Sequence, residues 1–441
     1  MPRGNVMIFG FNGNARMKTL AGALVLSMAA VATAHAGTLV GGGATLPAIG
    51  YTGDDVSHRL LTPQPGSLLG EYTAAGNSAT SYCQTGSGAG KNILAGGTIS
   101  GTSYNVQNTC PDSPTPTGFG AGQVGRSDLA QPNFAGADSP LALGDYNNYV
   151  ANTTVHSGSF PVQFPAVGGA IAVAFNKSDS HGQPISLNLT DDQICKVFSG
   201  QTTTWAALTG DNSLTGNIQI VYRSDGSGTT FGFSNHLSAV CGGTTASHFV
   251  TDQAFTTVVS KFGLPASANG QSGNPAVAAT IASTDGTIGY VEAANTLPPG
   301  AAYATVNGFD PFNDFGNAAL DVSSSVVYNS VINGANANTG RPVVSALSTL
   351  VTGAPTTQCI ALVDPSSYAA PSSGYPIVAV SYFLANSAHN GADTSAVQNL
   401  LWAPYNSTIT SNVFTIGSGT GLSFLNAGLS QSAVTGCVAS M

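Results

Sequence analysis

The sequence predicts an α/β protein of two domains, and three observations predict it. Apolar, β-branched runs open into turns rich in glycine, serine and threonine, and helical patterns follow; the clearest succession is Ile218–Tyr222, Arg223–Thr230 and Phe231–Leu237. The run from Phe160 to Phe175 is long, continuous and made largely of small and β-branched side chains, as expected of a buried strand in a parallel or mixed sheet. Finally, 405 residues remain beyond a leader of 36 in a chain of 441, enough for two substantial domains.

The leader is read from the pattern of its residues. Residues 1–16 carry no evident structural role, and Met17 is an alternative start. Met17-Lys18-Thr19-Leu20 opens a short apolar run to Val31, and Ala34-His35-Ala36 ends it with small residues at both flanks. That is the layout of a secretory signal peptide cleaved after Ala36. The run is shorter than the ~20 residues a membrane span needs. The mature chain is therefore expected in the periplasm or outside the cell, and not membrane-spanning.

Charge narrows the partners. All 20 Asp and Glu follow Ala36, against eight of the 11 Lys and Arg, so the mature chain carries 8 − 20 = −12. Nucleic-acid backbones are held by clustered Lys and Arg, and this composition excludes such a track. A small anion is different, because a few aimed neutral donors can hold it. The six cysteines, Cys83, Cys110, Cys195, Cys241, Cys359 and Cys437, all lie beyond the leader, and none forms a Cys-x-x-Cys pair. An even number in an oxidising compartment points to three disulfides. Fifteen pairings are possible; the one that joins sequence neighbours, 83–110, 195–241 and 359–437, closes one loop each. The histidines are scattered, so no metal site is expected.

The stretch Arg223–Thr230 reads as an anion cradle. Gly226 and Gly228 allow tight backbone geometry, and Ser227, Thr229 and Thr230 place hydroxyls beside helix N-terminal amides. Arg223 adds a fork of charged donors suited to a tetrahedral oxyanion. An ordinary Ser/Thr-capped helix after a strand fits the same residues. Gly41–Pro47 follows a short strand-like run and repeats the theme with Thr45. Tyr82–Asn92 mimics a nucleotide loop at Gly90-Lys91, but Thr85 stands where the first glycine is required and Asn92 where a Ser or Thr would hold magnesium.

Taken together, Gly41–Pro47, Gly86–Gly88, Arg126–Asp128, Arg223–Thr230 and Gly286–Glu292 resemble, in order, segments of the phosphate-binding periplasmic proteins that serve phosphate transporters; the glycine-rich opening is also similar to the extracellular, DING-type branch of that family. The resemblance implies a two-domain periplasmic-binding-protein-like α/β fold with mixed sheets, two crossover segments and an interdomain ligand cleft. Residues 37–166 with 376–441 would form the first domain and 167–375 the second, the crossings lying at Phe160–Phe175 and Tyr375–Leu384. It implies a phosphate site made of Thr45, the Leu46 amide, Ser87 and Asp128 on one side, and of Arg223, Asp225, Ser227, Gly228 and Thr229 on the other. Arsenate would be an analogue, a transporter permease a partner, and no cofactor is implied. Asp128 is expected to accept a proton that phosphate carries and sulfate lacks; a helix N-cap is the plainer role for it, and Arg126 beside it departs from the family pattern.

Other elements follow from local pattern. Leu189–Phe198 reads as a helix capped by Thr190 or Asp191, Phe249–Phe262 and Ala276–Ile281 as helices, Gly286–Glu292 as a strand and Ala396–Trp402 as a helix. Trp205 is expected in the core. His236 has no carboxylate at a catalytic spacing, and Gly417–Phe424 echoes the cradle without its arginine and reads as a structural turn. A secreted phosphatase is the rival function, although no Gly-x-Ser-x-Gly elbow occurs and no catalytic residue is assigned. A surface or adhesion protein is the third, and it leaves the ordered glycine segments unexplained.

Overall fold

The computed structural model describes residues 37–53, 60–110 and 116–439; the expected leader lies outside them. Nine strands follow one hydrogen-bonded path: β1 (Leu39–Gly43), β2 (Leu60–Leu61), β3 (Thr80–Gln84), β4 (Phe134–Ala137), β5 (Pro161–Asn176), β6 (Gln219–Arg223), β7 (Asn269–Gln271), β8 (Thr287–Glu292) and β9 (Val378–Asn386). Their order is β7-β6-β8-β5-β9-β4-β1-β3-β2, within a mixed sheet of 12 strands among the described residues. β1 runs parallel to β3 and β4, and β6 parallel to β7 and β8. β5 and β9 are antiparallel to each other and join these two parallel groups.

The sequence pattern explains the joint. β5 is buried along its whole length except Asn176, and β9 is buried throughout, so both are largely apolar or small on each face, with Gln163 and Asn386 the larger buried polar exceptions. Their register shifts between Ser381 and Tyr382, a bulge at the middle of the molecule. Helices leave the C-terminal ends of the parallel strands: α1 (Ser87–Ala95) after β3, α2 (Leu143–Ala151) after β4, α4 (Gly228–Val240) after β6 and α5 (Asn274–Ser283) after β7. Between them lies α3 (Asp191–Phe198), capped by Thr190, whose hydroxyl accepts from Gln193 N while the Gln193 side chain reaches back. Phe198, Phe233, Phe255 and Tyr290 pack as an aromatic group, with Phe233 stacked on Tyr290 at 4.5 Å. Trp205 is fully buried and donates its indole N–H to the Gly286 carbonyl at 3.1 Å.

One expected helix is reduced to a turn. Within Phe249–Phe262 only Phe255–Val258 is helical. Val250, Thr251, Thr256, Thr257, Val258 and Val259 are β-branched and lose side-chain freedom in a helix, while Asp252 turns back to accept from Ala254 N at 2.8 Å.

All three disulfides join the sequence neighbours, Cys83–Cys110, Cys195–Cys241 and Cys359–Cys437. The third anchors an excursion over residues 320–363. Leu320 and Asp321 pair with Leu425 and Asn426, Ile332 donates to the Leu141 carbonyl at 2.9 Å, and Gln163 donates to the Cys359 carbonyl at 2.9 Å. Its hairpin, Ser330–Ala335 with Pro342–Ala346, also reaches α4, where Arg341 donates to the Asn235 carbonyl at 2.5 Å.

Candidate anion-binding site

The turn after β6 is organised by its own arginine. Arg223 is 1% exposed, and its Nε and Nη2 meet the two oxygens of Asp225 at 2.7 and 2.5 Å. This bidentate pair fixes the guanidinium plane. Burial alone would raise the Asp225 acid, but the Arg223 charge and hydrogen bonds outweigh it and hold Asp225 below the usual carboxylate range. Nη1 donates to Thr229 Oγ1 at 3.3 Å and to Asn274 Oδ1 at 3.0 Å. Ser227 caps α4 by accepting from Thr230 N at 3.1 Å.

The opposing wall comes from β1, β3 and β4. The Ser87 hydroxyl, at the first residue of α1, accepts the Asp138 N–H at 2.9 Å and lies 3.3 Å from Asp138 Oδ2. Thr45 Oγ1 accepts from the Asn274 N–H at 3.3 Å, and the Leu46 amide is directed at Asp138. The two walls meet closely. Gly88 N donates to the Gly226 carbonyl at 2.8 Å, and a Cβ on Gly228 would come within 2.4 Å of Asp138 Cβ. Gly86 has φ +81°, and a Cβ there would strike Asp225 Oδ2 at 2.4 Å, so glycine is required twice over.

Of the residues expected at the site, Thr45, Leu46, Ser87, Arg223, Asp225, Ser227, Gly228 and Thr229 are brought together. Asp128 is not. Its side chain is 65% exposed and pairs with Arg126, which also holds Asp393 and the Thr38 carbonyl. No helix starts at Asp128, and the hydrogen bond from Arg126 keeps its acid low. The carboxyl that faces the cradle is Asp138, one residue beyond β4, and its burial pushes it up to about 7. The Ser381 hydroxyl, the Arg223 charge, the Ser87 hydroxyl and the Leu46 amide draw it partly back. Sequence reasoning missed Asp138, Ser381 and Asn274, which is fully buried and bonds Arg223, Thr229 and Thr45 together.

The set is therefore rich in donors and holds one carboxyl outside the Arg223–Asp225 pair. Three helices of nine, ten and thirteen residues start here, each presenting N-terminal amides. Hydroxyls and one guanidinium complete a cage suited to a tetrahedral oxyanion. The carboxyl restricts which one. It repels a fully ionised anion and can accept a hydrogen bond from an anion that still carries a proton.

A family model described as a PBP superfamily domain matches residues 62–402. The chain belongs to the PBP superfamily. This PBP-superfamily chain is 30% identical over 378 residues to alkaline phosphatase L of Pseudomonas aeruginosa, covering 84% of itself and 80% of that protein. It is 28% identical over 250 residues to the phosphate-binding protein PstS 3 of Mycobacterium leprae, covering 52% and 62%. Among solved structures it resembles the phosphate-bound, high-affinity periplasmic phosphate-binding protein PfluDING, at 26% identity and a TM-score of 0.57, over 89% of this chain and 91% of that one. The phosphate-binding protein from Stenotrophomonas maltophilia shares the fold, with a TM-score of 0.58 at 23% identity over 90% and 93%. The expected periplasmic-binding-protein-like α/β fold is the one observed.

Proposed function

We propose that this chain binds inorganic phosphate between two lobes, 37–166 with 376–441 and 167–375, and delivers it from the periplasm or cell exterior to the permease of an ABC-type transporter. The observation that carries the reading is Asp138, a buried carboxyl without a cation of its own inside a cage of hydroxyls, helix amides and one guanidinium. Asp138 takes the part the sequence suggested for Asp128. A phosphate or arsenate that retains a proton donates it to Asp138, and sulfate has none to donate. Asp225 fixes the Arg223 guanidinium beside the ligand, and the amides of Ser87, Gly228 and Thr229 take the remaining oxygens, while the Leu46 amide stays on Asp138. Membership of the PBP superfamily, shared with proteins named for phosphate binding, supports the reading.

Calorimetric titration of the mature protein with phosphate, arsenate and sulfate tests it. Submicromolar phosphate binding, competition by arsenate and none by sulfate are expected; equal binding of sulfate overturns the reading. The name of the Pseudomonas aeruginosa relative favours a second reading, a phosphomonoesterase. Hydrolysis of p-nitrophenyl phosphate that co-elutes with the protein and disappears in Arg223→Ala would support that activity at the same cage.

A further inference from the structure

We propose that Lys91 is a positioning residue that sets the angle of Asp138 and, through it, the discrimination between protonated and unprotonated oxyanions. The inference rests on the phosphate reading of the cage and adds a residue to it. Gly90-Lys91 mimics the end of a nucleotide loop, and the fold uses the lysine otherwise.

Lys91 lies one turn after Ser87 on α1, so the two side chains share a face. It is 3% exposed. Its ammonium reaches Ser139 Oγ at 3.3 Å, the Pro140 carbonyl at 3.3 Å and Asp145 Oδ2 at 2.5 Å. Three donors meet three acceptors, which leaves none for a ligand. Asp145 Oδ2 in turn accepts the Ala142 N–H at 2.9 Å and secures the start of α2.

The geometry gives α1 two grips on one short turn. Ser87 holds its first residue, Asp138, by the backbone N–H, and Lys91 holds Ser139 and Pro140 behind it. Between the grips Asp138 packs against Gly228, where a Cβ would come within 2.4 Å of Asp138 Cβ. A surface ion pair could not do this, because exposed pairs shift with solvent. Burying an ammonium is costly unless each donor is matched; here two matches, Ser139 and Pro140, fix the turn, and the third, Asp145, ties it to the start of α2.

Phosphate and sulfate have the same shape, so general loosening weakens both together, whereas a displaced Asp138 changes their ratio. The test uses the mature protein with Lys91→Met/Asp145→Asn and Lys91→Arg. The double variant leaves no unpaired buried charge, and its new side-chain amide keeps an acceptor oxygen for the Ala142 N–H. Titration with inorganic phosphate and with sulfate at fixed pH and ionic strength should show phosphate affinity lower by at least tenfold and the phosphate-to-sulfate ratio lower by at least fivefold. Lys91→Arg keeps the charge but not the three-way geometry, and should lower the ratio at least threefold. If the double variant does not fold, Lys91→Arg decides alone. A ratio within twofold of wild type in the folded variants overturns the proposal. Wild-type protein that binds neither anion overturns the phosphate reading instead, which separates the two failures.

Discussion

The hydroxyl of Ser87 accepts the backbone N–H of Asp138 at 2.9 Å and stands 3.3 Å from its Oδ2, while Oδ1 is buried and makes no well-formed hydrogen bond among the described residues. One carboxyl oxygen is thus held by the helix that supplies donors to the cage, and the other has capacity left to accept an additional proton. A buried acceptor of this kind costs about 1–3 kcal/mol while unmatched, and a protonated ligand removes that cost.

Asp138→Asn should lower the phosphate-to-sulfate affinity ratio by more than about tenfold, or roughly 1.4 kcal/mol. The amide removes the repulsion toward sulfate and adds a donor. Asp128→Asn, at the exposed Arg126 pair, should leave the ratio unchanged. Isothermal titrations of both variants with both anions separate the two residues, and a larger effect at Asp128 would refute the assignment.

Arg223→Ala should abolish high-affinity binding, with a loss of at least about tenfold from one charge-assisted bond. It also strands Asp225, whose side chain is only 10% exposed, and so should cost about 3–5 kcal/mol of stability. Arg223→Met/Asp225→Asn should recover much of that stability and none of the binding. Chemical denaturation beside calorimetry reads both effects; recovered binding in the double variant would place the anion elsewhere.

Ligand-free stability should fall as pH rises from mildly acidic to mildly basic. Burial pushes Asp138 up to about 7 and Glu292, which accepts from the Ala294 and Asn295 amides, up to about 8. Both folded-state values exceed the unfolded ones, so the folded chain binds more protons in this window. The stability this gives is complete below about pH 4 and is lost as pH climbs through the folded values. For Asp138 the difference is on the order of 4 kcal/mol. Asp138→Asn should flatten the decline between about pH 5 and 8. Urea midpoints measured across that range for both proteins check it, and parallel profiles would count against a buried, proton-holding Asp138.

Removing Cys359–Cys437 should be costly, since it closes a loop of 78 residues and is the covalent tie of the 320–363 excursion to the C-terminal segment. Chain-entropy reasoning gives roughly 4–5 kcal/mol for Cys359→Ser/Cys437→Ser. Thermal unfolding and non-reducing peptide mapping test the bridge, and free Cys437 in protein purified without reductant would contradict it.

Much of this architecture is written locally. The succession from Ile218 to Leu237 is readable because a β-branched run, a glycine turn and a serine cap each announce themselves within a few residues. β5 is readable because few segments of its length lack polar breaks. The acid was not. Arg126-Ser-Asp128 carries the familiar motif while Asp138 follows the apolar Phe134–Ala137, and the choice depends on β4 lying between β1 and β9. A signal was present: Asp138 directly follows the apolar Phe134–Ala137, and ligands of open α/β sheets gather at strand C-terminal ends. Asn274 gave less warning, since Gly273-Asn274-Pro275 is an ordinary turn sequence whose partners lie 45, 51 and 229 residues away.

The place of β9 between β4 and β5 has a consequence for how the chain is made. Strands that end at Ala137 and begin at Pro161 both wait for one that begins at Val378. Until that residue has emerged, the edges of β4 and β5 stay open, and the wall bearing Thr45, Ser87 and Asp138 lacks the Ser381 strand behind it. Pairing across so many residues is slow, because loop closure precedes any reward from contact. A nascent chain of this order therefore stays unfinished through most of its synthesis, and its central sheet closes only once the Val378 strand has been made.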